Sequence, residues 1–422
     1  MVAQSTYIIL FQLNQDYQSE KLQSDPEGGE GKSWAELQRD VLGVILNKLI
    51  LPDFIRFSVV CKSWLSVALD HKHKRMETIN QQVPMLMIPQ EGRKEHWNLY
   101  SLCENKVYGY QFLVPHRVRC CGSSYGWWAM AEKDLSVKLV NPFSGEIIHL
   151  PPIMVAIPGF HTVPEYYIHR VILSCDPCLY PNSYVVAATY NAAPVVAFIK
   201  SGEQSWTYVY NKFRPVNNIL FHKEQLYAVN SRNQVLVIDY EGNDSSDDSE
   251  DEDEDEDDDE VEYYEGPRVE YLISQPTEYS HVSYLVESFD GGLLLVRRRY
   301  LEIIDDIDYK VTVGFKVYRM TRKHSSDEEE EPEWVETKSL PNIALFVGDN
   351  HSICIPAFGF RNCQSNCIYF TDDCTERDPD APYEATDMGI FHLESGQIGK
   401  HYELPQSLSY LPPAVWILPK LQ

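Results

Sequence analysis

The stretch Trp127-Trp128-Ala129-Met130-Ala131-Glu132-Lys133-Asp134-Leu135-Ser136-Val137-Lys138-Leu139-Val140-Asn141-Pro142-Phe143-Ser144-Gly145 decides how the larger part of this chain folds. A short apolar run opens it, a polar turn follows, and a second apolar run leads to Asn141-Pro142 with Gly145 close behind. Apolar runs of four or five residues bounded by turn formers read as strands, and two in succession read as a hairpin. Asn, Pro and Gly then reverse the chain, each by its own backbone preference.

The unit recurs. Tyr184-Val185-Val186-Ala187 leads to Val195-Val196-Ala197-Phe198, Gly202 and Trp206. Leu226-Tyr227-Ala228-Val229 leads to Val235-Leu236-Val237-Ile238-Asp239 and Gly242. Leu293-Leu294-Leu295-Val296 leads to Phe315-Lys316-Val317-Tyr318 and Trp334, and Ile368-Tyr369-Phe370 leads to Gly389-Ile390-Phe391-His392-Leu393 and Gly396. A four-stranded propeller blade takes roughly 40–50 residues, close to the shorter spacings here, and the wider gaps hold insertions. Residues 84–113 carry one further unit, and 411–417 supply a strand able to close a ring and so remove exposed sheet edges. The expected body is an all-β propeller over 84–418 of about six blades, five or seven being possible. A β-sandwich or another barrel is the alternative. With 27 Tyr and 12% aromatic residues the composition suits strands.

Ahead of this lies a different period. Ser33 and Glu36 fit a capping box, and Leu42, Ile45, Leu46 and Leu49 recur at helical spacing. Pro52 stops that helix, Asp53 suits a new cap, and Ile55, Val59 and Val60 form a second series before Trp64 and Leu65 in a third. Residues 33–75 therefore read as a three-helix module, near the lower limit for folding alone. Such a module is expected to bury apolar surface against a partner or a neighbouring domain. Residues 1–32 read as a flexible lead-in, with Pro26, Gly28, Gly29 and Gly31 in a polar run. The fold class is thus α+β and multidomain.

The module resembles an F-box. The family order of Leu-Pro-x-Asp/Glu-Leu-Leu, Ile-Leu-x-x-Leu and Val-Cys-Lys-x-Trp is matched by Leu37, Asp40, Val41-Leu42, Ile45-Leu46, Leu49, Val60-Cys61-Lys62 and Trp64, with Gln38 where the family usually has Pro. The later part is similar to the plant F-box family with a KIB-type β-propeller. Cys120-Cys121-Gly122-Ser123-Ser124-Tyr125-Gly126-Trp127, Asn141-Pro142-Phe143-Ser144-Gly145-Glu146, Leu150-Pro151-Pro152-Ile153, Ala344-Leu345-Phe346-Val347-Gly348-Asp349-Asn350 and Asn366-Cys367-Ile368-Tyr369-Phe370-Thr371-Asp372-Asp373 carry that likeness. The resemblance implies a non-catalytic substrate-recognition subunit of an SCF-type E3 ubiquitin ligase. It implies docking on a SKP-type adaptor, and through it on a cullin, with Leu37, Leu42, Ile45, Leu46, Leu49, Val60 and Trp64 making or supporting that contact. It does not name the client. The alternative from another class is a ligase-independent scaffold that holds basic proteins on the propeller and its acidic loop. A third, an enzyme working in the propeller channel, would require titratable groups to converge there.

Charge narrows the partners. At −27 the chain should repel phosphate backbones, so no nucleic-acid partner is expected. Fourteen acids lie between Asp244 and Glu260, and a block of this kind repels itself and buries no apolar area. Residues 243–266 are accordingly read as a disordered acidic insertion in a blade turn. Ser245, Ser249, Ser325 and Ser326 stand before acids in the manner an acidophilic kinase prefers. No apolar run reaches the ~18 residues needed to cross a bilayer, so no membrane partner is expected. Met1–Leu13 lacks a basic secretory start, and the ten Cys form no framework, which points to reduced thiols in the nucleus and/or cytoplasm.

The remaining motifs are read as structural. Gly122-Ser123-Ser124-Tyr125-Gly126 has the form of a nucleophile elbow but is followed by a strand, where that motif needs a helix. Cys175 and Cys178 form one metal-like pair, and Cys363, Cys367 and Cys374 follow far away, whereas a structural zinc takes four ligands. Asp372-Asp373 reads as a turn rather than an acid–base pair, and Arg297-Arg298-Arg299 as the decoration of a strand end. Gly28-Gly29-Glu30-Gly31-Lys32 lacks the spacing of a phosphate loop. No cofactor or metal is expected.

Overall fold

The computed structural model describes residues 37–46, 49, 57, 60–68, 70, 83–89, 96–111, 119–142, 145–154, 164–191, 194–209, 215–241, 267–273, 282–303, 309–324, 330–358, 360, 362–373, 387–403 and 414–418. The expected lead-in 1–32 and the acidic insertion 243–266 lie outside them, as do Cys374 and the four serines before acidic runs.

The strands form six sheets. Blade 1 holds β1 (Met85–Pro89), β2 (His96–Ser101) and β3 (Lys106–Gln111). Blade 2 holds β4 (Arg119–Ser124), β5 (Trp127–Ala131), β6 (Val137–Val140) and β7 (Ile147–Leu150). Blade 3 holds β8 (Ile168–Leu173), β9 (Val185–Tyr190), β10 (Val195–Lys200) and β11 (Thr207–Tyr208). Blade 4 holds β12 (Val216–His222), β13 (Gln225–Asn230), β14 (Val235–Ile238) and β15 (Val269–Ile273). Blade 5 holds β16 (Val282–Glu287), β17 (Leu293–Ile303), β18 (Tyr309–His324) and β19 (Glu330–Thr337). Blade 6 holds β20 (Ile343–Val347), β21 (Ile353–Pro356), β22 (Cys367–Phe370), β23 (Gly389–His392) and β24 (Ile398–Gly399). The last strand, β25 (Val415–Ile417), pairs antiparallel with β1 through Met85 and Ile417, Leu86 and Trp416, and Met87 and Val415. The C-terminal strand thus completes the sheet begun by the first strands, and the ring closes as 411–417 suggested.

Each neighbouring pair of blades shares one apolar layer, six in all. Trp127 enters the layer between blades 2 and 3, while Trp128 enters the layer between blades 1 and 2. Leu293 and Leu295 face blade 4, and Leu294 and Val296 face blade 6. Successive side chains of a strand point to opposite faces. A blade packed on both sides therefore needs continuous apolar runs, which is why the repeat reads as unbroken blocks rather than as alternation. The Asn141–Gly145 motif is the turn from β6 to β7. Asn141 N donates to Glu146 O at 2.9 Å, Gly145 N donates to Asn141 O at 2.9 Å, and Gly145 sits at φ 75°, where a Cβ would be strained.

Blade 6 departs from the pattern. Its order is β21-β20-β22-β23-β24, and β20 runs parallel to β22. A parallel neighbour cannot be reached by a hairpin, so the chain leaves β20 through β21 and crosses back to β22. The repeat unit beginning at Ile368 marks only the later strands of this blade.

Candidate functional site

In the helical module, α1 spans Arg39–Leu46 and a second helical stretch covers 62–68. Among the described residues of 33–75 these are the two helical runs. Of the middle helix expected after Asp53, only Phe57 and Val60 are described. Leu42, Leu46, Phe57, Val67 and Ala68 form the module's core, with Leu37, Ile45, Leu49 and Trp64 packed half-buried around it. The Phe57 and Trp64 rings lie 4.4 Å apart. Arg39 binds Asp70 and donates to Ser66 Oγ at 3.2 Å, joining α1 to the second helical stretch.

Of the residues expected to dock or support an adaptor, Leu42 and Leu46 lie inside the module. Leu37, Ile45, Leu49 and Trp64 lie at its edge, and Val60 is 54% exposed. Two residues absent from that expectation, Val41 and Val44, stand on the outer side of α1 at 43% and 61% exposure. They are three apart and so share one helical face, turned away from Leu42 and Leu46. Their signal in the sequence is an apolar pair out of phase with the core series.

The propeller axis does gather titratable groups. Arg119, on the first residue of β4, donates to Ile168 O at 2.9 Å and to the carbonyls of Tyr166 and His169 at 3.3 Å, and is paired with both carboxylate oxygens of Asp349 at 2.9 and 3.0 Å. Arg170 donates to Gly348 O at 2.9 Å, Asn350 O at 2.5 Å and Asn217 O at 3.3 Å. Burial, reinforced by Arg119 and Arg170, lowers His169 to about 4, and burial beside Arg170 lowers His351 to about 4, so both are neutral near pH 7. These charges meet protein acceptors and tie blades 2, 3 and 4 to the 348–350 turn of blade 6. The arrangement is a tie between blades.

The motifs resolve as follows. Ser124, Tyr125 and Gly126 lie in a strand-to-strand turn with Tyr125 at φ 54° and Gly126 at φ 83°, the geometry of a two-residue hairpin rather than a nucleophile elbow. A Cβ on Gly122 would meet Val171 O at 1.9 Å, so this glycine permits β4 to approach β8. Burial pushes Cys363 up to about 12 and Cys367 up to about 11, so both are thiols near pH 7. Among the described residues no group of three or more His, Cys, Asp and Glu has metal-holding geometry.

The basic triplet requires a correction. Arg297 and Arg298 are buried, not decorative, because β17 is sandwiched between blades 4 and 6. Arg298 lies 3.4 Å from Asp373 and 2.9 Å from Asp387, and donates to Thr371 O at 2.8 Å and Thr312 Oγ1 at 2.7 Å. Asp373 also accepts from Tyr284 and, at 2.5 Å, from Tyr300. This knot ties blade 5 to the residues flanking the segment between β22 and β23. It occupies Asp373 and leaves no free acid–base pair at 372–373.

A small helical module with exposed apolar side chains, alongside a propeller whose inner strands are tied by buried arginines, defines a modular binding protein. Comparison with known proteins supplies the family: residues 99–392 match the KIB1-4 beta-propeller model and residues 34–76 match the F-box domain. The chain belongs to the KIB1-4 β-propeller family and carries an F-box. F-box protein SKIP23 of Arabidopsis thaliana is 22% identical, over 91% of this chain and 95% of its own. Putative F-box protein At5g55150 of the same plant is 22% identical, over 92% and 97%. Among solved structures, the β-propeller domain of Cps50 (Swd1) from Myceliophteria thermophila aligns over 73% of this chain and 80% of its own at 10% identity, with a TM-score of 0.35, a likeness too distant to build on. F-box proteins are in general receptor subunits of SCF-type ligases and not enzymes.

Proposed function

We propose that this chain is the substrate receptor of an SCF-type ubiquitin ligase in the nucleus and/or cytoplasm. The F-box docks on a SKP-type adaptor held by a cullin, and the propeller holds the client near the charged ubiquitin-conjugating enzyme. The protein adds no chemical group to the transfer. It raises the effective concentration of client lysine against the thioester, a proximity effect worth orders of magnitude. The observation that carries this reading is the exposed Val41, Val44 and Val60 on a module whose own core is already filled. Apolar side chains left in water on so small a unit suit a partner surface.

Co-expression with a SKP-type adaptor and a pull-down test it. Val44→Asp with Val60→Asp should lower adaptor recovery by about tenfold or more, since a charge would be desolvated in the contact. The module should stay folded by circular dichroism, because both positions face water. Leu42→Ala should instead destabilise the module by roughly 2–5 kcal/mol. Full adaptor recovery by the double aspartate variant would sink the reading. The scaffold alternative separates in the same assay, since it expects client capture without residues 33–75.

A further inference from the structure

We infer that the propeller binds a free tetrahedral oxyanion of the phosphate type beside Arg170, at the end of its axis where β4, β8 and β12 begin. Arg119, Arg170 and Arg298 are all more than nine-tenths buried. Arg119 holds the carboxylate of Asp349, and Arg298 holds those of Asp373 and Asp387. Among the described residues Arg170 holds none. Its Nε reaches the carbonyl of Asn217 and its Nη1 those of Gly348 and Asn350, which accept hydrogen bonds but return no negative charge. A guanidinium taken out of water is costly unless a counter-charge stands by it. Here two arginines, 119 and 170, meet one aspartate, 349, and the neighbouring His169 and His351 are neutral near pH 7. One positive charge is left over, in a chain whose formal charge is −27.

Further donors flank the cation. Thr189 stands opposite Arg170 in the β8–β9 register, so both side chains leave the same side of blade 3, the side from which Arg170 reaches Asn217 of blade 4. Thr189 is 1% exposed, and its Oγ1 meets no hydrogen-bond partner among the described residues. The same holds for the buried Nδ2 of Asn217, at the bulge of β12 between Val216 and Asn218. Arg170 Nη2 likewise makes no bond among the described residues, and the Tyr284 ring lies 5.7 Å from the guanidinium carbon. Water would satisfy Thr189 and Asn217 but not the charge. The donor set also chooses the anion. A carboxylate is held best by two parallel bonds from an arginine fork, and Nη1 is already engaged by two carbonyls. Single donors from β8, β9 and β12 suit an ion whose oxygens point in several directions. With Arg170 only 6% exposed, a free ion reaches it where a folded surface does not.

Thermal unfolding and phosphorus NMR of the full chain test this, with sodium phosphate titrated against sodium chloride at equal ionic strength. Phosphate should raise the unfolding midpoint as its site fills, as any ligand of the folded state does, and chloride should not. Asn217→Asp places a carboxylate of nearly the same shape beside Arg170. It should keep the fold by circular dichroism and weaken phosphate by about tenfold or more, since like charges meet. Thr189→Val removes a hydroxyl that bonds nothing in the protein, so it should leave stability without phosphate intact and weaken phosphate by about threefold. Lys223→Met, exposed on the turn from β12 to β13, should change neither. A phosphoserine peptide titrated in parallel should bind more weakly than phosphate itself. The inference is overturned if phosphate stabilises no more than chloride, or if Asn217→Asp and Thr189→Val both bind it as the wild type does. It is equally overturned if Lys223→Met loses as much as they do, or if the peptide binds more tightly than the free ion. None of these residues belongs to the helical module, so the outcome is separate from that of the adaptor pull-down.

Discussion

Arg119 and Asp349 show what a single pair does in a closed ring. Both are almost wholly buried, and 230 positions separate them in the chain. Water cannot compensate either charge if its partner goes. Arg119→Met should therefore cost about 3–5 kcal/mol by leaving a buried carboxylate without its guanidinium, and Asp349→Leu should cost a similar amount. The double variant, with both charges removed, should recover most of the loss. Urea unfolding of the three variants reads this directly. Losses in the double variant equal to the sum of the singles would show that the pair does not act as a pair. Nothing local in the sequence announces this contact. Asp349 and Asn350 stand out only as polar residues after an apolar strand, and Arg119 as one base before Cys120-Cys121. By contrast helical spacing alone places Leu42 and Leu46 on one side of α1, although the sequence reading assigns that side to the adaptor and the structure fills the module's own core with both residues. What spacing could not show was that Val41 and Val44 remain uncovered, since exposure depends on helices distant in sequence.

At the scale of elements, the ring was legible because its strands are short, apolar throughout and separated by turn residues. The exceptions have physical causes. Blade 6 hides its count because its first two strands precede the crossing that produces a parallel pair, and β17 and β18 run past the blade, at 11 and 16 residues, so one spacing looks inflated. The triplet at 297–299 misled because arginine is ordinarily a surface residue, and only burial between two blades reverses that expectation. The closing strand is the element on which the architecture most depends. Trp416 is wholly buried, and its ring meets Phe346 at 5.0 Å and His401 at 5.1 Å. Asn350 Nδ2 donates to its carbonyl, which joins the axial turn to the closure. Trp416→Ala should cost about 3–5 kcal/mol through the cavity left between blades 6 and 1. Removing residues 414–422 should do more, because β1 becomes an open edge that pairs with other molecules. Light scattering checks it: the truncated chain should aggregate below the unfolding temperature of Trp416→Ala. A truncated chain as monodisperse and as stable as the wild type would mean that β25 does not close the ring.

For the molecule as a whole, three part-buried histidines set a pH dependence opposite to what its acidity suggests. Burial lowers His169, His351 and His401 to about 4 each, against an ordinary value near 6.5. Arg119 and Arg170 repel a proton on His169, Arg170 does so on His351, and the carbonyl of Phe370 only partly offsets burial at His401. In the folded protein these rings stay neutral down to about 4, while in the unfolded chain they take up protons below about 6.5. Unfolding between those values therefore binds protons. Each histidine contributes stability that is fully present above pH 6.5 and is lost as the pH falls towards 4, with a slope of at most about 1.4 kcal/mol per pH unit per group. The formal charge of −27 pulls the other way, since protonating carboxylates relieves self-repulsion, but carboxylates ordinarily titrate near 4 and leave pH 6.5 to 5 to the histidines. Urea unfolding at pH 7, 6 and 5 should show stability falling at each step below 6.5, and His351→Gln should reduce that slope by about one histidine's share. A wild type equally stable at pH 6.5 and pH 5 would mean that these rings are hydrated in the folded state and that the interior around the axis is wetter than its packing indicates.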